Sequence, residues 1–220
     1  MAESKHGKLY LLRHGQTAWA VSGQYTGRTD LPLTAEGERQ AIDAGERIRA
    51  FRDGRPFASV ISSPSQRARM TALRAGFTPV LDERAYEWDY GRAEGHVRSD
   101  VSDALGHDWN IWDENPQVIP VDFAPEPWHD RIADIDVHPT DGETLEEVHA
   151  RAGSLIEGIR PVIEYGEDVL IVSHAHFSRI LATAWLGVDP RFAGHLTMET
   201  AGFSVLGEHN GMRVIEKWSC

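Results

Sequence analysis

Two short apolar runs, each closed by a histidine, constrain the fold of this chain more than any other feature. Leu9-Tyr10-Leu11-Leu12 ends in Arg13-His14-Gly15. Asp168-Val169-Leu170-Ile171-Val172-Ser173 ends in His174-Ala175-His176. Short, continuous apolar runs of this kind read as strands buried on both faces, which is the situation of a parallel sheet covered by helices. Open sheets of that type hold their ligands at the carboxyl ends of the strands. His14 and His174 are therefore expected to face each other across one pocket.

The rest of the chain alternates in the same sense. A helix is predicted near 35–52, with Thr34 as its N-cap and with Glu36 and Glu38 in the first turn, where negative charge suits the positive helix end. Ser59-Val60-Ile61-Ser62 reads as a second strand. Residues 63–75 read as a helix with Pro64 in its first turn. Pro79-Val80-Leu81 reads as a short strand. Thr144 opens a helix running to about Tyr165, and Glu147 completes a capping box with it. Another helix follows Ser173 as far as Leu186. Phe203-Ser204-Val205-Leu206 and residues 212–218, joined around Asn210-Gly211, predict a closing hairpin. The expected fold class is α/β: a three-layer α/β/α arrangement with a mostly parallel central sheet. A length of 220 residues suits one such domain over 1–220 rather than two.

One segment departs from the pattern. Residues 113–143 carry Pro116, Pro120, Pro125, Pro127 and Pro139, and Arg131 is their only Arg or Lys. The segment is too long for an ordinary connection. It reads as a surface excursion or a subunit contact. As a lid it would repel a phosphorylated substrate unless His129, Arg131 or His138 pointed inward. Trp109, Trp112 and Trp128 read as packing residues.

The charge balance excludes some functions. With 22 basic against 34 acidic side chains the net charge is −12, which argues against nucleic acid and anionic membranes as partners. No apolar run approaches the ~20 residues that span a bilayer. The polar start lacks an apolar signal core, so a cytoplasmic location is the default. Cys220 is the only cysteine, so neither an internal disulfide nor a cysteine metal site is available.

The chemistry lies in four blocks. In Arg13-His14-Gly15 a guanidinium that forks onto phosphate oxygens stands beside an imidazole and a glycine that admits close backbone approach. Ser62-Ser63-Pro64-Ser65-Gln66-Arg67-Ala68 places Arg67 in the first turn of a helix, whose N-terminus itself attracts anions. Glu87-Trp88-Asp89-Tyr90-Gly91-Arg92-Ala93-Glu94-Gly95 offers two carboxylates, and Ser173-His174-Ala175-His176 a second imidazole at a strand end. The bland alternatives are a surface strand end, a salt-bridged Arg67 and a solvated Glu87. His174-x-His176 also has the spacing of two metal ligands, but no carboxylate-rich histidine motif accompanies it, and a metal leaves Arg13 and Arg67 unexplained.

Together, and in this order, the blocks resemble the signature of the histidine phosphatase, or phosphoglycerate mutase-like, superfamily. The resemblance covers nearly the whole chain apart from the acidic segment. Ser22-Gly23-Gln24-Tyr25-Thr26-Gly27, Thr29-Asp30-Leu31-Pro32-Leu33-Thr34, Glu87–Gly91 and Trp109-Asn110-Ile111-Trp112 are similar to the branch holding sedoheptulose-1,7-bisphosphatase and actinobacterial acid phosphatases. It implies a phosphomonoesterase for small phosphorylated metabolites, sugar phosphates or bisphosphates, using neither metal nor cofactor. In that scheme His14 is the nucleophile, Glu87 the general acid and Glu94 a structural carboxylate. Arg13, Arg67 and a protonated His174 stabilise the transferring phosphoryl group. Gln24, Tyr25 and Thr26 line the pocket, with Tyr90 and Arg179 toward its far end. Ala175 stands where the family has glycine; its N–H remains available to phosphate, at a cost of ~1 kcal/mol if positive φ is required. Ala20 replaces a common asparagine. The resemblance also implies a homodimer. Two alternatives stay open. One is a cofactor-dependent phosphoglycerate mutase, against which the region after Glu87 is acidic rather than basic. The other is a phosphate-binding module with little turnover, kept alive by Ala20 and Ala175.

Overall fold

The computed structural model describes residues 6–124 and 127–220; Pro125 of the proline-rich stretch and residues 1–5 of the polar start lie outside them. Its strands are β1 (Leu9–Arg13), β2 (Ser59–Ser62), β3 (Val80–Leu81), β4 (Trp128–Asp130), β5 (Ile135–Val137), β6 (Val169–Ser173), β7 (Phe203–His209) and β8 (Met212–Lys217). Its α-helices are α1 (Ala18–Ser22), α2 (Ala35–Phe51), α3 (Gln66–Arg74), α4 (Arg98–Leu105), α5 (Leu145–Glu164) and α6 (Ala175–Leu186).

Six strands form the central sheet in the order β3-β2-β6-β1-β7-β8. The β3–β2, β2–β6 and β6–β1 pairs are parallel, and only β7 runs against the rest. The alternation of side chains along a strand explains the layers. Leu9 and Leu11 of β1, with Val169 and Ile171 of β6, enter one apolar cluster with α5 and α6. Tyr10 and Leu12, with Leu170 and Val172, enter a second cluster with Ala44 and Ile48 of α2 and Ala68 and Ala72 of α3. Both faces are covered, which is why all five β6 residues are buried. The three-layer α/β/α fold is as the sequence predicts.

The helix signals also hold. The Thr34 side chain accepts from the Gly37 amide, and Thr144 and Glu147 form the capping box of α5. The helix expected over 63–75 differs: it starts at Gln66. Ser65 is its extended N-cap, so Pro64 lies outside it. The serines before it are used elsewhere, as described below. Two close approaches hold the loop after β1. A Cβ on Gly15 would meet the Gly37 carbonyl oxygen at 2.3 Å, and one on Gly37 would meet the Gln16 oxygen at 2.1 Å. The two glycines thus let α2 abut the segment carrying His14.

The acidic segment is structured where it is described. Strands β4 and β5 form an antiparallel hairpin, and Val137 joins Trp19 and Leu31 in a small buried cluster. His129, Arg131 and His138 are exposed, so none of the three points inward.

Candidate active site

Register brings the two histidines together. Arg13 pairs with Ser173 at the carboxyl ends of β1 and β6, and the His14 amide donates to the Ser173 carbonyl at 2.9 Å. The two imidazole rings lie with centroids 5.2 Å apart. His14 is buried, and its Nδ1 sits 2.7 Å from the Gly15 carbonyl oxygen. A carbonyl only accepts, so Nδ1 carries the proton and Nε2 keeps its lone pair. Burial, and then Arg67 and Arg13, hold the His14 pKa well below its ordinary value. The imidazole is therefore neutral and nucleophilic at Nε2.

His174 is fixed differently. Its Nδ1 accepts from Arg67 Nε at 3.2 Å, so its Nε2–H donates to Ser63 Oγ at 2.9 Å. Ser65 Oγ lies 3.4 Å from the same Nε2. Burial first, and then the neighbouring cations, Arg67 before Arg151 and Arg13, push its pKa well down. His174 is neutral here, contrary to the protonated form the resemblance implies. A cation at its Nδ1 disfavours a second positive charge.

Arg67 is fully buried. Beyond its bond to His174, it donates to the carbonyls of Thr29, Thr26 and Gly27 at 2.9–3.0 Å. Four of its five N–H groups are committed, and it stands behind the cavity rather than in its lining. Glu94 holds the other polar side of the same loop, accepting from the amides of Gly27 and Thr29. The α3 N-terminus is likewise occupied: the Gln66 amide donates to Asp30.

Arg13 is the cation that faces the cavity. Its Nη1 donates to the Met198 carbonyl, and its buried Nε has no partner. A buried guanidinium N–H without an acceptor is an anion site in waiting. Glu87 also lines the cavity, accepting from the amides of Trp88 (2.9 Å), Phe177 (2.7 Å) and His176 (3.2 Å). The last two lie in the first turn of α6, so Glu87 sits at the positive end of that helix.

The cavity holds about 180 Å³. Gln24, Tyr25, Thr26, Tyr90 and Ala175 line it, as expected. Ala175 is the first residue of α6 and does not have positive φ, so the anticipated strain is absent. Arg179 does not line the cavity. Its guanidinium donates to the carbonyls of Ala193 and Gly194 and lies 4.6 Å over the Trp112 ring. Trp19 and His176 are lining residues that sequence reasoning missed. His176 Nδ1 meets the Tyr90 hydroxyl at 2.7 Å, while His174 turns to Ser63, so the two do not converge as metal ligands. Asp130 of the acidic segment, also missed, accepts from Trp19 Nε1 at 2.9 Å and Gln24 Nε2 at 3.0 Å. The segment therefore braces the cavity wall and is not a mere surface excursion.

A neutral imidazole and a guanidinium with an unpartnered N–H in one cavity define a site suited to a tetrahedral oxyanion. The sequence profile of the histidine phosphatase superfamily (branch 1) matches residues 9–123 and 108–220, and the chain belongs to that superfamily. It is 31% identical over 212 residues to an acid phosphatase of Mycobacterium tuberculosis, covering 95% of this chain and 90% of that one. It is 29% identical over 204 residues to the sedoheptulose 1,7-bisphosphatase of Saccharomyces cerevisiae, covering 81% and 67%. A 2,3-bisphosphoglycerate-dependent phosphoglycerate mutase of Nitratidesulfovibrio vulgaris is 34% identical over 209 residues, covering 88% and 82%. The solved structure of an open reading frame product of Mycobacterium tuberculosis superposes with a TM-score of 0.81 at 30% identity, covering 97% of each chain. Among the described residues, no helix is long and apolar enough to cross a membrane.

Proposed function

We propose that the chain hydrolyses small phosphate monoesters, sugar phosphates or bisphosphates among them, through a phosphohistidine on His14. The carrying observation is the Nδ1–Gly15 hydrogen bond, which leaves the Nε2 lone pair of a neutral imidazole free beside Arg13. Nε2 attacks phosphorus in line as the phosphorus–oxygen ester bond breaks, and Glu87 gives its proton to the leaving alkoxide. Glu87 then takes a proton from water as the water oxygen attacks phosphorus and the nitrogen–phosphorus bond breaks. Arg13 neutralises charge on the equatorial oxygens, with the buried Arg67–His174 pair behind the nucleophile. Likeness to an acid phosphatase and a sugar bisphosphatase supports this reading. Against a mutase, which must grip a second acidic group, Arg13 is the only Arg or Lys in the lining among the described residues.

Rapid quench of the enzyme with labelled p-nitrophenyl phosphate tests the proposal. An acid-labile, base-stable label on the protein, absent in His14→Ala and unaffected by EDTA, is the expected result. Turnover abolished by EDTA, or retained in His14→Ala, defeats it.

A further inference from the structure

The walls of the cavity differ sharply from its floor. Among the described residues Arg13 is the single permanent cation in the lining, and the walls carry the rings of Trp19, Tyr25, Tyr90 and His176. Three of those rings pack on one another and on Trp112 behind them: Tyr25 lies 4.8 Å from Tyr90, and His176 lies 5.6 Å from Tyr90 and 5.1 Å from Trp112. Burial holds the His176 imidazole neutral by pushing its pKa well down, and pushes the Tyr25 phenol up to about 12. Neither side chain supplies charge to a ligand.

The arginines of neighbouring elements are held by other partners. Arg28 is paired with Asp89 and Glu143, and Arg98 with Asp108 and the Trp109 carbonyl. Arg92 donates to the carbonyls of Val121 and Ala124, and Arg179 to those of Ala193 and Gly194. The carboxylates nearby add to the asymmetry: Glu87 lines the cavity, and Asp130 stands behind Trp19 and Gln24. A second phosphate or a carboxylate on the leaving group would lose water against these rings and find no cation beyond Arg13 among the described lining residues, Arg179 acting only from behind His176. A neutral ring, by contrast, matches an aromatic wall through its apolar face.

We propose that the cavity selects monoesters whose leaving group is a neutral, ring-bearing alcohol, and discriminates against bisphosphates and phosphorylated carboxylic acids. This rests on the phosphatase reading above and narrows its substrate class.

The test uses the full chain and compares kcat/KM for a hexose monophosphate and p-nitrophenyl phosphate with that for the matching hexose bisphosphate and 3-phosphoglycerate. The monoesters of neutral alcohols are expected to be better by at least about tenfold, the ratio that ~1.4 kcal/mol of unpaired charge produces. A bisphosphate cleaved as well as, or better than, the monophosphate overturns the selectivity and leaves the phosphatase reading intact. No turnover of any ester defeats both. A cation restored to the wall provides the second arm. Ala20 lines the cavity at a half-buried helical position. Ala20→Arg should shift the preference about threefold or more toward the bisphosphate, and the neutral Ala20→Gln should not. An equal shift in both, or in neither, shows that charge is not the selector.

Discussion

The floor and the wall of the cavity are built by opposite means. The floor consists of side chains at the carboxyl ends of two adjacent buried strands, β1 and β6, and its geometry is inherited from sheet register. The wall is assembled from loops, a five-residue helix and the first turn of α6, and is braced by the acidic hairpin through buried hydrogen bonds such as those of Asp130. Reactivity resides where the backbone is hardest to deform, and selectivity where it is easiest to rebuild. In such an arrangement, substitutions in the floor should act on kcat, and substitutions in the wall on KM and substrate preference.

The largest effect that could break this division is His14→Ala, expected to lower kcat by at least about 10³-fold while leaving the thermal midpoint within a few degrees. A circular-dichroism melt beside the steady-state assay checks both halves. Arg67→Ala should damage floor and fold together. It leaves the carbonyls of Thr26, Gly27 and Thr29 without their donor, and denaturant titration should show a loss of about 3 kcal/mol or more. If stability were unchanged, the buried guanidinium would not be the post on which that loop is hung.

Acid should strain floor and wall together. His14, His174 and His176 all have folded pKa values below their ordinary value, so below about pH 6.5 the unfolded chain binds protons that the folded chain does not. Stability is then expected to fall as pH falls, by up to ~1.4 kcal/mol per pH unit for each histidine, and to be flat above that point. Denaturation midpoints measured from pH 8 to 5 test the sign. By the same depression His14 stays neutral below pH 6.5, so catalysis should continue in mildly acidic buffer.

Smaller effects belong to the wall. Asp130→Ala orphans the Trp19 donor and leaves Gln24 only its bond to the Gly95 carbonyl, and should raise KM about three- to tenfold with little change in kcat, at a cost of ~1–3 kcal/mol in stability. A fall in kcat alone would show that the hairpin reaches the chemistry. Arg131→Ala, at the exposed hairpin tip, should stay within about ±0.5 kcal/mol of the parent and leave both constants unchanged.

The same division explains what could be read from sequence. Buried strands announce themselves locally, so β1, β2, β6 and the residues at their ends, Arg13, His14 and His174, were legible together with the caps at Thr34 and Thr144. The wall was not. Asp130 reaches Trp19 across 111 positions of chain, and no local pattern encodes that meeting. Helix α1 is too short to show a period. The hairpin is hidden because His129, Asp134 and Asp136 pair with one another at its surface and read as an acidic loop. His174 was found but its charge state was not, because that depends on Arg67 facing its Nδ1, a contact set by the fold.

The segment from Thr26 to Thr29 is gripped from both of its polar sides, its carbonyls by Arg67 and its amides by Glu94. A stretch without regular secondary structure ordinarily exchanges its amide hydrogens quickly. Here the Gly27 and Thr29 amides, each closed by a fully desolvated carboxylate, should exchange with deuterium as slowly as those of β6. On the timescale of turnover, this connection behaves as an additional strand of the core.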